Sequence, residues 1–407
     1  MEQNKYTAGF ARLDITPPLG VKMIGAGPRT VKGVLDPLYV NAVAFGDGEQ
    51  SAVVLACDLL GMYGSFGEQW PGKIAAEVGL DAEAVMLHCT HTHTGPSPVA
   101  DAQYFDWTFR RLCDAARMAL DDRKPVAEVR WAEDEMPKGF VGVRRYVMKD
   151  GSVRHRPPVG APDIVRVVFE GDRSVRTVRI LREEGKEIVI VNFQTHPDVV
   201  GGEYISADWP GAVRDTVERE RPDACCIYLN GTQGQLVLSD RRNGAAGSGK
   251  SHGKAMEYGT TLGRKALELL EQDEPTGLAA FHYAQKTLEL TSAREGSGGY
   301  DSDYPDTRNL NVSTMVFCGM ALAGLAGEPY YQVGQHIRGY SKFPVTLTLC
   351  QTNGAQGYLP LLADFGHPGG SYEPRICHFA PGVAETAMIT ADELLRGAAR
   401  GDESNEA

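Results

Sequence analysis

The sequence predicts an α/β fold, with mixed β-sheets flanked by helices in a single large domain. Three observations carry that prediction. Short apolar runs with strand-like patterning alternate along the chain with stretches of helical spacing, as in packed layers of sheet and helix. Hairpin signals occur among them, so the sheets are mixed rather than purely parallel. No repeat, coiled coil or linker divides the 407 residues, and 42% hydrophobic residues suffice for one sizeable core.

In chain order, Ala8 to Ile15 alternates like a strand and ends in the turn Thr16-Pro17-Pro18-Leu19-Gly20. Leu38 to Phe45 and Ser51 to Cys57 are strands joined by the hairpin signal Gly46-Asp47-Gly48. Asp58 closes the second strand, as a functional carboxylate or as a turn cap. Ala84 to Leu87 reads as a short buried strand. Tyr104 to Asp122 sets Phe105, Phe109, Leu112, Ala116 and Leu120 on one helical face. Ala127 to Glu133 is a strand, Gly139 to Pro162 a loop region, and Ile164–Glu170, Val175–Leu181 and Glu187–Phe193 are three further strands. A helix runs from Asp208, as cap, with Pro210 in its first turn, to about Arg219. Ala224 to Leu229 is a buried strand, and Ser239 to Ser251 a polar, glycine-rich loop. His252 to Leu270 is helical, Leu278 to Leu290 a strand and Glu295 to Thr307 a polar loop. Met315 to Leu325 is one apolar stretch. A helix follows Pro329, then a strand at Val345 to Gln351 and a terminal helix at Ala384 to Ala399. The domain is thus expected over residues 1–399, with 400–407 as a frayed tail.

A formal charge of -12 without a basic stripe argues against nucleic acid as a partner. No apolar run reaches membrane-spanning length, and the first residues lack the apolar core of a secretory signal. Eight cysteines, several in strand-like runs and none in a C-x-x-C pair, suit reduced core residues. The expected location is the cytoplasm and the expected partner a small molecule.

Chemistry concentrates at strand ends. His88-Cys89-Thr90-His91-Thr92-His93-Thr94-Gly95-Pro96 follows the buried Ala84–Leu87 run. In an extended backbone, residues two apart share a face, so His91 and His93 can point into one site. That suits a divalent metal plus a base; histidines bonded to loop backbone are the plainer alternative. His196 ends the run Ile188 to Phe193, either as a ligand or as a hydrogen-bonded structural histidine. Glu328 follows the apolar stretch, either as a ligand or as a helix N-terminal cap. Tyr358 lies in a glycine-rich turn after another strand. Singly each is weak; four strand ends offering His, His, Glu and Tyr are the makings of a metal centre in an α/β fold.

At these residues the sequence resembles the neutral (non-lysosomal) ceramidases and their shorter bacterial relatives. The resemblance begins at Ala8-Gly9-Phe10-Ala11-Arg12-Leu13-Asp14-Ile15-Thr16-Pro17-Pro18 and continues through Thr90 to Pro96, Asn192-Phe193 to His196, and Ile205 to Gly211. It resumes at Gly327-Glu328-Pro329, Asn353-Gly354 to Tyr358, and Tyr372-Glu373, so it spans most of the chain in order. It implies a zinc-dependent amidohydrolase domain, with Zn2+ held by His91, His196, Glu328 and Tyr358. It further implies His93 beside the metal-bound water, Arg144 in contact with substrate, and Tyr372 as a later active-site tyrosine. Two departures stand out. Gln235 and Val237 replace the acidic residue and the Ser or Asn of the family's glycine-rich turn, and the family's immunoglobulin-like domain is absent. Both point away from ceramide, toward a small soluble N-acyl compound, with an ester or lactone, or a non-catalytic metal-binding role, as alternatives.

Gly244-Ala245-Ala246-Gly247-Ser248-Gly249-Lys250-Ser251 also matches the nucleotide-binding pattern G-x-x-x-x-G-K-S. Such a loop needs a buried strand leading directly into it, whereas Leu238 to Asn243 is polar. A surface loop is the better reading, and nucleotide hydrolysis the weaker one.

Overall fold

The computed structural model describes residues 5–25, 27, 29–96, 101–238, 240–242, 250–293, 306–366 and 372–403. Most of the glycine-rich loop expected at 239–251 and of the polar loop expected at 295–307 lies outside them.

A nine-stranded sheet forms the spine. Its edge-to-edge path runs Ala224–Asn230, Glu187–Phe193, Ser174–Arg182, Lys124–Glu135, Thr7–Asp14, Tyr39–Gly46, Ser51–Cys57 and Val85–Cys89. Glu274–Pro275 pairs beside Lys124–Glu135. The expected hairpin is present, with Gly46 opposite Ser51. Two junctions are parallel, Ser51–Cys57 with Val85–Cys89 and Glu187–Phe193 with Ala224–Asn230. Parallel neighbours need a crossover, and the helices Ser65–Val78 and Asp208–Glu220 supply it. A second sheet, Phe281–Thr291, Thr307–Phe317, Met320–Leu325 and Val345–Leu349, ends in another parallel pair crossed over by the helix Tyr331–Tyr340.

The side-chain period of two sorts these strands into layers. Along Ser51–Cys57, Val53, Leu55 and Cys57 pack on Trp70, Ile74, Leu112 and Ala116 of the outer helices. Ala52, Val54 and Ala56 face the other way, into the core shared with Met315, Phe317, Leu322 and Leu347 of the second sheet. Helix Val383–Glu403 covers the far side of that sheet, giving four layers, helix, sheet, sheet, helix. The mixed α/β reading is therefore what folds.

Several local expectations differ. The loop region 139–162 holds strands Val141–Val143, Arg145–Met148 and Val153–His155. The first pairs with Leu236–Leu238, a partner that local sequence does not reveal. Met315 to Leu325 is not one element: it turns at Cys318 and Gly319, both at positive φ, joining two antiparallel strands. Asp208 is the first helical residue rather than the cap, at φ 59, and its carboxylate accepts the N–H groups of Val199, Val200 and Trp209. The last helix continues through 400–403.

Candidate metal centre

All the parallel strands of both sheets end on one rim, and the inter-sheet seam closes there. His88 bridges to Thr352, Cys89 N–H donates to Gln351 O, and Cys350 N–H donates to Asn230 O. The chain leaving each strand therefore enters the same space.

His91 and His93 reach it by a route the sequence does not suggest. The strand stops at Cys89, and His91 stands at φ 74 in the left-handed region, a conformation histidine visits more readily than most residues. The pair converges through this turn, with ring centroids 4.9 Å apart, and not along a pleat. Thr92 and Thr94 point away and donate their hydroxyls to Ser206 O.

Each imidazole is held by its outer nitrogen. Nδ1 of His91 lies 2.6 Å from Leu60 O, Nδ1 of His93 lies 3.1 Å from Gly25 O, and Nδ1 of His196 lies 2.9 Å from Leu236 O. A carbonyl only accepts, so each Nδ1 carries the proton and each Nε2 is left with a lone pair. The ligand nitrogens of these three residues lie within 4.8 Å of one another, with 3.3 Å between Nε2 of His91 and Nε2 of His93. Glu328 adds Oε2 at 3.4 Å from Nε2 of His91 and 3.0 Å from Nε2 of His196. Glu328 is thus not a helix cap; the next helix begins at Tyr331. Glu328 and Tyr358 are direct partners in a two-stranded parallel bridge. Gly234 supports this from below, since a Cβ there would lie 2.4 Å from Glu328 O.

Arg144, buried, joins the far side. Its Nη2 lies 2.8 Å from Nε2 of His196, and its Nη1 donates to the Tyr358 hydroxyl at 2.9 Å and to Glu373 Oε1 at 3.1 Å. Tyr372 stands at the mouth, 39% exposed, its ring 5.8 Å from that of Tyr358 and 5.5 Å from that of His155. Every candidate residue, His91, His93, His196, Glu328, Tyr358, Arg144 and Tyr372, is therefore found around one centre.

Burial, helped by the field of His91, lowers His93 to about 4, and burial with Arg144 lowers His196 well below its ordinary value. Both are neutral, the form that binds metal. Burial opposes ionisation of Glu328, and only positive charge shared with the rings of His91 and His196 holds it well below the usual carboxylate range. Burial raises the Tyr358 phenol, so its proton stays on. Lone pairs and a carboxylate converging with their protons turned outward form a donor set that fits zinc.

Sequence reading missed the anchors: Leu60, Gly25 and Leu236, whose carbonyls hold the imidazoles, and Glu373, which holds Arg144. Backbone carbonyls leave no sequence signal, and only Glu373, adjacent to Tyr372, could have been flagged. The two departures flank Leu236, whose carbonyl holds His196. Gln235 is buried and donates to Gln332 Oε1 at 2.7 Å, and Val237 sits on the strand paired with Val141–Val143. Of the nucleotide-type motif, Gly244–Gly249 lies outside the described residues. Lys250 is ion-paired with Asp198 and Ser251 caps the following helix by accepting Lys254 N–H, so neither is free to cradle phosphate.

No protein-family model matches the sequence. Among solved structures, the neutral ceramidase from Pseudomonas aeruginosa superposes with a TM-score of 0.80, covering 97% of this chain and 74% of that chain at 16% identity. A ceramidase complexed with C2 superposes with a TM-score of 0.79, covering 96% and 75% at 14% identity. The chain has the neutral ceramidase fold.

Proposed function

We propose that the chain is a zinc-dependent hydrolase that cleaves an amide bond in a small substrate, and that residues 1–399 form its catalytic domain. The observation that carries this is the set of three Nε2 lone pairs, each fixed by a backbone acceptor on Nδ1, converging with the Glu328 carboxylate. His91, His196, Glu328 and Tyr358 would hold the ion. When bound, zinc supplies Lewis acidity, polarising a carbonyl oxygen and bringing the pKa of water down to about 7.

The chain's residues do the rest. His93, whose Nδ1–H is committed to Gly25, takes a proton from the attacking water at Nε2 and returns it to the leaving nitrogen. The Tyr372 hydroxyl donates to the oxygen that gains charge. Arg144, held by buried Glu373, orients a polar group of the substrate. No described helix is long and apolar enough to cross a membrane.

Purified protein, zinc-loaded and chelated, should be assayed on matched soluble amides, esters, lactones and dispersed ceramides. Zinc-dependent turnover of soluble amides supports the proposal. Turnover of ceramide alone, of esters or lactones alone, or equal rates without zinc, would overturn it.

A further inference from the structure

We infer that this centre binds a substrate carrying an oxyanion, carboxylate or phosphate, and that Arg156 is the residue that reads it; as a statement about substrate, this rests on the hydrolase function proposed above. The protein is acidic overall, yet the rim beside His93 and His196 is cationic. Asp198, two residues beyond His196, is mostly buried and ion-paired with Lys250. The same carboxylate lies 3.9 Å from Nη2 of Arg156 and within the field of Arg29. Three cations therefore share one carboxylate.

Two of the three are already committed. Arg29 donates to the carbonyls of His93 at 2.8 Å, Ile24 at 3.1 Å and Gly202 at 2.5 Å, fastening the turn that carries His93. Lys250 sits on Asp198. Arg156 is the least committed: among the described residues no hydrogen bond from its guanidinium is present, and its ion pair with Asp198 is long, at 3.9 Å, and shared. It also faces like charge from Arg144 and Arg241. Glu373 is ion-paired with Arg144 at 3.1 Å.

Backbone geometry aims this residue. Arg156 stands at φ 46, in the left-handed region, and its N–H donates to Arg144 O at 2.7 Å. It is thereby fastened to the arginine that touches His196 and Tyr358, while its neighbour His155 lies against Tyr372 at the mouth, the two rings tilted by 41°. A half-buried guanidinium held in a strained turn, with only a long, shared ion pair, beside a metal-type site, is matched by an oxyanion brought in by the substrate. A charge-assisted pair there is worth about 10- to 100-fold in binding.

Three probes separate the possibilities: N-octanoylglycine, the phosphate monoester of N-octanoylethanolamine, and neutral N-octanoylethanolamine. Binding is read by the thermal shift of the full-length zinc-loaded protein, and turnover by kcat and KM. One or both anionic probes should stabilise the protein and the neutral one should not; which anion does so identifies the source. Arg156→Gln should remove the shift and raise KM by about 10- to 100-fold with kcat nearly unchanged, and Arg156→Lys should recover part of it. Zinc content and circular dichroism of both variants should match the parent. Anion-dependent stabilisation through Arg156 without hydrolysis of any probe would support the binding inference while removing the hydrolase reading. Equal stabilisation by the neutral probe, or a preference for anions unchanged in Arg156→Gln, would overturn it.

Discussion

The Glu328 carboxylate lies 3.0 Å from Nε2 of His196, although 132 residues separate them in sequence. Each residue follows a parallel strand, one in each sheet, so their meeting is a product of how the two sheets seal at one rim. A buried carboxylate against neutral imidazoles is costly unless a cation joins them.

The first expectation follows from that donor set. Purified protein should hold about one zinc per chain, and His91→Ala and His196→Ala should each lose most of it. Metal analysis after dialysis against a weak chelator measures this. Stoichiometric zinc retained in both variants would move the site elsewhere.

His93 is expected to act as a base rather than as a ligand. His93→Ala should keep its zinc yet lose about 10²–10⁴-fold in kcat. The geometry makes this a sharp test, because Nε2 of His93 is only 3.3 Å from Nε2 of His91. Zinc loss comparable to that of His91→Ala would make His93 a ligand.

His88 makes the inter-sheet seam sensitive to acid. It is fully buried, its Nδ1–H donating to Cys350 O at 2.8 Å while its Nε2 accepts Asn230 N–H at 3.0 Å, so it serves the seam only when neutral. Burial lowers it to about 4, against about 6.5 in the unfolded chain. The unfolded state therefore takes up more protons between those values. Stability should fall as pH drops from about 6.5 to about 4, with His88 alone contributing about 3 kcal/mol of the loss. Urea titrations at pH 7 and pH 5 should show a smaller fall in His88→Gln than in the parent, and equal falls would refute the assignment.

Arg214 and Asp58 form a fully buried two-point ion pair, at 2.9 and 2.6 Å, with Tyr39 N–H and the Thr90 hydroxyl also donating to Asp58. Removing one partner strands a buried charge, so Arg214→Met should cost about 3–5 kcal/mol, and adding Asp58→Asn should restore part of it. Chemical denaturation reads both. No recovery in the double variant would mean that packing, not charge, sets the loss.

Much of this was legible in the sequence because it depends on local periodicity. The unbroken apolar run Ala52 to Cys57 needs two buried faces, and a strand with both faces covered implies layers on each side. The residues at strand ends, His91, His196, Glu328 and Tyr358, were visible as chemistry out of keeping with the apolar runs before them.

What tertiary structure alone decided is how these groups are aimed. The left-handed turn at His91, the carbonyls of Leu60 and Gly25 that fix the imidazole tautomers, and the pairing of Val141–Val143 with Leu236–Leu238 beneath Arg144 all rest on contacts between distant segments. So does the isolation of Arg156 beside an Asp198 already committed to Lys250. Periodicity records which face of an element is buried, because burial repeats along the chain. Which backbone carbonyl meets which ring nitrogen is set once, by sheet register and crossover, and leaves no repeating mark.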